Sequence, residues 1–500
     1  MSDPLPKKIL VANRAEIAVR VIRACHELGL PVVAVYSEAD RQGLHVRYAD
    51  EAVALGESEP LKSYLDQDKI LDAARRTGAT AVHPGYGFLA ENAVFARRCA
   101  DEGLIFIGPT PECMEAMGDK IRARESMKAV GVPLIPGCEA VTRDTLADAA
   151  RGVGYPLMLK ASAGGGGKGI RAVREEAELL SAFERAEGEA RTAFGDATIY
   201  MERLLENPHH IEVQILGDDH GNVIHLFERE CSVQRRHQKV IEEAPSPFMT
   251  DALRSAMGEA AVKAARAIGY TGAGTVEFLV DHDRSFYFLE VNTRLQVEHP
   301  ITEMITGVDL VREQIRVASG QSLSVTETDL SISGHAIEAR ICAEDPENGF
   351  LPSVGTVDAL AVPGGPGVRL DSALYPGLEV SLFYDSLLAK LVCWGRDREE
   401  ALVRMRQALA EFRVADLKTN IAYLGRVLRD EEFVAGTYDT GILERMSPAA
   451  PPEGVLEAAA IVATLVAHQS AGERATRSVA GAGMDPWKLA GRRRGVGDDR

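Results

Sequence analysis

The stretch KKILVANRAEIAVRVIRACHELGLPVVAVYS near the start of the chain constrains the fold most. An apolar run, a turn, apolar residues at helical spacing with Gly29 after them, and a second apolar run together make a βαβ unit. The alternation recurs in KILDAARRTGATAVHP and NAVFARRCADEGLIFIGP, where each helical pattern feeds a short β-branched run, as in a parallel sheet covered by helices. A doubly wound parallel-sheet domain is therefore expected over residues 1–115. Ligands of such sheets sit at the carboxyl ends of the strands, which here carry Asn13-Arg14 and His83-Pro84-Gly85-Tyr86-Gly87.

A chain of 500 residues is too long for one core. From about Met117 the pattern becomes α+β, with long alternating strands such as HHIEVQILGDDHGNVIHLFERE, in which DDHGN reads as a hairpin turn. This second domain is expected over 116–332. A third, over 333–446, opens with GHAIEARICAEDP and closes on the helical pattern REEALVRMRQALAEFRV. The prolines of SPAAPPEG read as a linker, and 447–500 as a tail with one Ala-rich helix, LEAAAIVATLVAHQ.

The formal charge of −18 excludes nucleic acid and anionic membrane as partners of most of the surface, so a phosphate ligand needs a local basic pocket. Seven cysteines at scattered positions, without metal-finger spacing, read as reduced thiols. Residues Met1 to Pro6 lack the apolar core of a signal peptide, and no apolar run approaches the roughly 20 residues of a membrane span, so a cytoplasmic location is expected.

Four constellations carry chemistry. Lys160-Ala161-Ser162-Ala163-Gly164-Gly165-Gly166-Gly167-Lys168-Gly169 places a cation at a strand end before a glycine loop whose backbone N–H groups can converge on phosphate; a surface linker is the alternative. Glu277-Phe278-Leu279 and Phe288-Leu289-Glu290-Val291-Asn292, joined by the turn-rich VDHDRS, form a hairpin bringing Glu277 near Glu290 and Asn292, hard oxygen donors suited to Mg²⁺, or else a solvated acidic face. Asn292, Arg294, Gln296, Glu298 and His299 lie within one short segment, where Arg294 can clamp an anion and Glu298 deprotonate it, while His299 reads as structural. Arg229, Arg235, Arg236, His237 and Lys239 form a basic cluster in an acidic chain, either an anion site or a solvated cationic strand. Arg340, flanked by acids, reads in isolation as a surface salt bridge.

In this order the motifs ILVANRAEIAVR, HPGYGFLAEN, MGDK, KASAGGGGKGI, MERLLENPHHIEVQ, ERECSVQRRHQKVIEEAP, GAGTVEFL, EVNTRLQVEHPITEMITG, GHAIEARICAEDP and FYDSLLAKL resemble biotin carboxylase, the ATP-grasp component of biotin-dependent carboxylases, from about residue 7 to 446. The resemblance implies an N-terminal doubly wound domain, an ATP-grasp domain with a mobile glycine-rich lid at about 132–204, and a C-terminal biotin carboxylase domain. It implies that Lys120, Lys160, Gly166, Gly167 and His237 bind ATP, with Glu202, Arg203, Leu204 and Leu205 as adenine hinge and His210 at the ribose. Glu277, Glu290 and Asn292 would hold Mg²⁺ or Mn²⁺; Lys239, Arg294, Gln296 and the Val297 backbone would hold bicarbonate. Glu298 would be the base and Arg340 the residue that steadies the biotin enolate.

The implied reaction carboxylates biotin through carboxyphosphate, as the first half-reaction of an acetyl-CoA, propionyl-CoA, pyruvate or 2-oxoglutarate carboxylase. Another ATP-grasp ligase or a silent scaffold are the rivals. Glu125-Ser126-Met127-Lys128-Ala129 matches a biotin acceptor hairpin only superficially, so biotin is expected on a separate carrier protein, with a carboxyltransferase as further partner. The Arg20 helix and Tyr384-Asp385-Ser386 match family dimer surfaces, so a homodimer is expected. Against the family pattern, Ala15 replaces a common Gly, Arg203 a common Lys, and Ala163 and Lys168 alter the loop; all four read as mild.

Overall fold

The computed structural model describes residues 5–162, 169–446, 460–464 and 466. The chain divides into two compact units, Met1–Arg445 and Met446–Arg500. In the second, residues 460–464 and 466 are helical, with Thr464 Oγ1 donating to Ala460 O at 2.6 Å.

In the first unit the strands Glu51–Gly56, Val32–Ser37, Ile9–Val11, Ala81–His83 and Ile105–Phe106 lie in that order, all parallel. Ile9–Val11 is buried along its whole length because the sheet is covered by helices such as Ala15–Glu27 and Gln67–Thr77. The strand order switches direction between Ile9–Val11 and Ala81–His83. There Asn13 Nδ2 donates to Pro84 O and Tyr86 O, both at 2.7 Å, tying the two strand ends together. Gly85, at φ +64°, permits this close approach, since a Cβ there would come within 2.9 Å of Asn13 Nδ2.

Ala15 is not the mild departure its sequence suggests. It opens its helix at φ +56°, in the left-handed region, where a Cβ costs about 1 kcal/mol that glycine avoids. The acceptor-like stretch Glu125–Ala129 belongs to the helix Lys120–Ala129 and not to a hairpin.

A four-stranded antiparallel sheet, ordered Gly137–Val141, Ile199–Arg203, Leu157–Ala161 and Ile170–Val173, packs against the helices Leu146–Val153 and Glu176–Phe194 around its own core, which includes Leu157, Leu159, Phe183 and Met201. The main framework is an eight-stranded antiparallel sheet ordered Phe286–Asn292, Gly272–Val280, His209–Gly217, Val223–Arg235, Gln238–Ala244, His335–Cys342, Leu387–Gly395 and Val368–Ser372. It runs unbroken across residue 333, through Ile241↔Ala339 to Ala244↔Ala336. The change of pattern in the sequence there marks new strands joining an existing sheet edge.

That junction is held by the fully buried Glu243, which accepts from His335 Nε2 at 2.5 Å, Arg398 Nε at 2.7 Å and Tyr438 Oη at 2.6 Å. Burial alone would raise the Glu243 carboxyl, but His335 and Arg398 bring it down to about 2. A carboxyl whose folded pKa lies below its unfolded value of 4.5 stabilises the fold fully above that value and loses the contribution as pH falls towards about 2. Glu243→Gln should therefore remove roughly 3 kcal/mol of stability at neutral pH and flatten the loss between these limits, measured by urea unfolding across the acid range.

Candidate active site

The site forms where the long sheet meets the segment Thr293–Glu298. Along His209–Gly217, His210, Glu212 and Gln214 share a face by the two-residue period of a strand. Glu212 pairs across the sheet with Glu277, and Glu277 with Glu290 on the hairpin. Lys239 reaches the same face through the register shift in the pairing of Val223–Arg235 with Gln238–Ala244, where Val233↔Ile241 is followed by Gln234↔Lys239 and Val240 is left over as a bulge.

Lys239 is the hub. Its ammonium donates to Glu212, to Glu277 Oε1 at 3.0 Å and to Glu298 Oε1 at 2.5 Å. Arg340, on His335–Cys342, reaches Glu298 Oε2 at 2.9 Å from the other side and Glu242 Oε1 at 2.6 Å. One carboxylate thus bridges two cations. Burial disfavours the Glu298 anion, but Lys239, then Arg340 and Arg229, outweigh it and hold the carboxyl well below its ordinary range. The surface salt bridge suggested for Arg340 is in fact this interior bridge.

Asn292 Nδ2 and Gln296 Nε2 both donate to Glu277 Oε1 at 2.8 Å, and Arg294 Nη2 donates to Asn292 Oδ1 at 2.9 Å. Arg294 Nε is steered by Glu91 Oε2 at 2.9 Å, and the same side chain accepts the Thr293 N–H at 3.1 Å. The Val297 carbonyl accepts from the fully buried Lys390 Nζ at 2.9 Å. His299 is buried with Nδ1 2.7 Å from Gln296 O, in keeping with a structural role.

The basic cluster does not act as one patch. Arg229 lies wholly inside, giving Nε to Glu212 Oε1 at 2.5 Å and its other nitrogens to Gln214, Thr302, Thr275 and Gln296. Arg235 stacks over Phe350 and reaches Glu344 at 3.1 Å. Arg236 and His237 form the exposed two-residue turn, at φ +51° and +65°, a backbone geometry that hairpins usually assign to Asn and Gly.

The nucleotide side is only partly drawn together. Lys160 is ion-paired with the buried Glu202 carboxylate, which also lies 3.4 Å from Arg124. The Arg203 and Leu204 N–H groups are used inside the fold, donating to Pro136 O at 2.9 Å and Pro156 O at 3.0 Å, and Leu205 is buried. Arg203 places its guanidinium 2.9 Å from Tyr287 Oη. His210 takes Gln234 Nε2 on Nδ1 at 2.9 Å, leaving Nε2 3.0 Å from Glu277 Oε2; burial works against its charge, and Glu277 raises its pKa nonetheless. Gly166 and Gly167 lie outside the described residues, as does the side chain of Lys120.

For a divalent cation, Glu277, Glu290 and Asn292 Oδ1 supply hard oxygens from adjacent, register-paired strands, which fits Mg²⁺ or Mn²⁺. A tighter group, His210, Glu212 and Glu277, has its ligand atoms within 4.8 Å of one another. Lys239 donates to both carboxylates of that group, so its centre is already served by a cation.

Sequence reasoning missed Glu91, Glu212, Glu242, Gln234 and Lys390. Glu212 was within reach, two residues after His210 on a recognisable strand. Glu91 stands inside the motif HPGYGFLAEN, but nothing in it announces the arginine that Glu91 steers, about two hundred positions away. Of the residues expected at a dimer surface, Arg20 gives its guanidinium to Glu303 and Asp309 at 2.8 Å each, and Tyr384 Oη donates to Ser37 Oγ at 2.6 Å.

Fold and site together define an ATP-grasp enzyme. The sequence families "Biotin carboxylase, N-terminal domain", "Carbamoyl-phosphate synthase L chain, ATP binding domain" and "Biotin carboxylase C-terminal domain" match residues 5–114, 119–326 and 338–445. The chain is 52% identical to a biotin carboxylase of Nostoc sp. over 88% of its own length and 99% of that protein's, and 55% identical to a pyruvate carboxylase subunit of Methanothermobacter thermautotrophicus over 87% and 89%. Among solved structures it resembles the Campylobacter jejuni biotin carboxylase–β,γ-ATP complex, at TM-score 0.85 and 46% identity over 88% and 99% of the two chains. It likewise resembles the biotin carboxylase domain dimer of Hydrogenobacter thermophilus 2-oxoglutarate carboxylase, with MgADP, ADP and bicarbonate, at TM-score 0.84 and 50% identity over 88% and 98%. The chain belongs to the biotin carboxylase family. No helix among the described residues is long and apolar enough to cross a membrane.

Proposed function

We propose that the chain uses ATP to activate bicarbonate as carboxyphosphate and transfers the carboxyl group to biotin held on a separate carrier protein. The observation that carries this reading is the double engagement of Glu298, by Lys239 at 2.5 Å and by Arg340 at 2.9 Å, which joins an anion clamp to a second cation through a single candidate base.

Lys239, Arg294, Gln296 and the Val297 backbone hold bicarbonate, and Glu298 takes its proton. The ion pairs that depress Glu298 in the free site are the ones an incoming anion competes for. Drawing Lys239 towards bicarbonate relieves Glu298 of a cation and raises its basicity at the moment a base is required. Lys120, Lys160, Gly166, Gly167 and His237 hold the phosphates, with Glu202 to Leu205 at the adenine and His210 at the ribose. Glu277, Glu290 and Asn292 hold Mg²⁺ or Mn²⁺, which when bound offsets phosphate charge. Carboxyphosphate yields CO₂ and phosphate; phosphate removes the ureido N1 proton of biotin, and Arg340 neutralises the enolate that attacks CO₂.

Relatives named as carboxylase subunits support a biotin carboxyl carrier protein and a carboxyltransferase as partners, and the dimeric relative supports a homodimer. A cytoplasmic location is part of the same proposal. The test is ADP release by the purified chain with Mg²⁺. Release should depend on bicarbonate and be stimulated by free biotin, and Arg340→Ala should abolish the stimulation while keeping the bicarbonate-dependent basal rate. Release indifferent to biotin in the unaltered protein would return the chain to some other ATP-grasp ligase.

A further inference from the structure

Glu242 and Glu338 stand directly opposite each other on the antiparallel strands Gln238–Ala244 and His335–Cys342. Such cross-strand partners share a face, with Cβ atoms about 5 Å apart. Both side chains are wholly buried. Glu242 accepts from Arg340 through Oε1, but among the described residues its Oε2 has no hydrogen-bond partner, and neither oxygen of Glu338 has one. Two facing, wholly buried carboxylates with three oxygens that no protein group among the described residues satisfies cannot both stay charged. A single proton resolves the conflict: one carboxyl becomes an O–H donor, the other its acceptor.

The neighbouring charges do not offer another solution. Arg340 is shared between Glu242 and Glu298. Lys390, beside them on the next strand, donates to Val297 O and lies 3.2 Å from Glu16, whose carboxylate also takes the Tyr86 hydroxyl. Lys239 is committed to Glu212, Glu277 and Glu298, and the nearby Cys231 thiol is buried and itself pushed up. Burial is the largest influence on both glutamates and raises both; Arg340 and Lys390 pull the other way without cancelling it.

We propose that Glu242 and Glu338 are a carboxyl dyad holding one proton between them at neutral pH, and that this proton positions Arg340 for biotin. With one proton the pair presents a single negative charge, matched to one guanidinium. Losing it adds a second charge behind Arg340 and draws the guanidinium back from the substrate. The pair acts through Arg340, so both members are positioning residues. The consequence for biotin rests on the function proposed above; the shared proton does not.

Infrared spectroscopy of the full chain with ¹³C-labelled glutamate, without substrates, reads the proton directly. At neutral pH the C=O stretch of a protonated carboxyl should be present, and Glu338→Gln, which mimics the neutral partner, should remove it. Biotin-stimulated ADP release should decline at alkaline pH in the unaltered protein with a rising KM for biotin, and in Glu338→Gln the decline should move up by at least about one pH unit while basal release stays unchanged. No protonated carboxyl in the unaltered protein overturns the proposal even if the variant fails to fold. A shared band with an identical alkaline decline in the variant overturns its link to Arg340. A band lost on substitution in a protein that biotin does not stimulate upholds the dyad and overturns the biotin reading instead.

Discussion

Glu298→Gln is expected to lower bicarbonate-dependent ADP release by about 10²- to 10⁴-fold, the range for removing a positioned general base, with little change in KM for ATP. The amide keeps the size of the side chain and one acceptor oxygen, so either Lys239 or Arg340 retains its contact and the other faces an N–H. Because Glu298 touches both cations, the variant should lose the basal and the biotin-stimulated rate together, whereas Arg340→Ala loses only the latter. Steady-state release with and without biotin separates the two patterns. Near wild-type turnover in Glu298→Gln would shift the base to Glu212 or Glu277, the other carboxylates on Lys239.

What the sequence made legible follows the range over which its signals act. The βαβ alternation, the DDHGN turn and the Glu277–Asn292 hairpin are local patterns, and all three are present as read: Asp218 N donates to Asn222 O at 3.0 Å across the turn, and Glu277 pairs with Glu290. The grouping of Arg294, Gln296 and Glu298 was legible because it lies in one segment. What escaped depends on strands distant in sequence. The pairing of Arg340 follows from Glu242 and Glu298 arriving from two other elements, and the continuity of the long sheet past residue 333 from a pairing of Gln238–Ala244 that no local pattern announces. Ala15 shows the opposite limit: the residue is local, but its positive φ is imposed by how the helix leaves the sheet. The basic cluster misled because linear density of charge says nothing of direction, and Arg229 and Arg235 serve different parts of the structure.

Arg229 also gives the sharpest expectation for stability. It is wholly buried, and its guanidinium serves Glu212, Gln214, Thr302, Thr275 and Gln296 at once. Arg229→Met fills much of the volume but leaves the buried Glu212 carboxylate with Lys239 alone and two amide oxygens without a donor. A loss of about 3–5 kcal/mol is expected, as for breaking a buried ion pair from one side, seen as a lower urea midpoint. Adding Glu212→Gln should restore part of that loss, because it lowers the cost of a buried carboxylate that has lost one of its two cations. Exposed arginine pairs provide the contrast: replacing Arg97, on Glu115 at 2.5 Å and Glu112 at 3.4 Å, by Ala should leave the urea midpoint almost where it was. Since Glu212 and Gln296 hand the effect of Arg229 on to Lys239 and Glu277, Arg229→Met should also slow ADP release under conditions where it is still folded. Full activity in the folded variant would show that Lys239 alone orders the carboxylates around it.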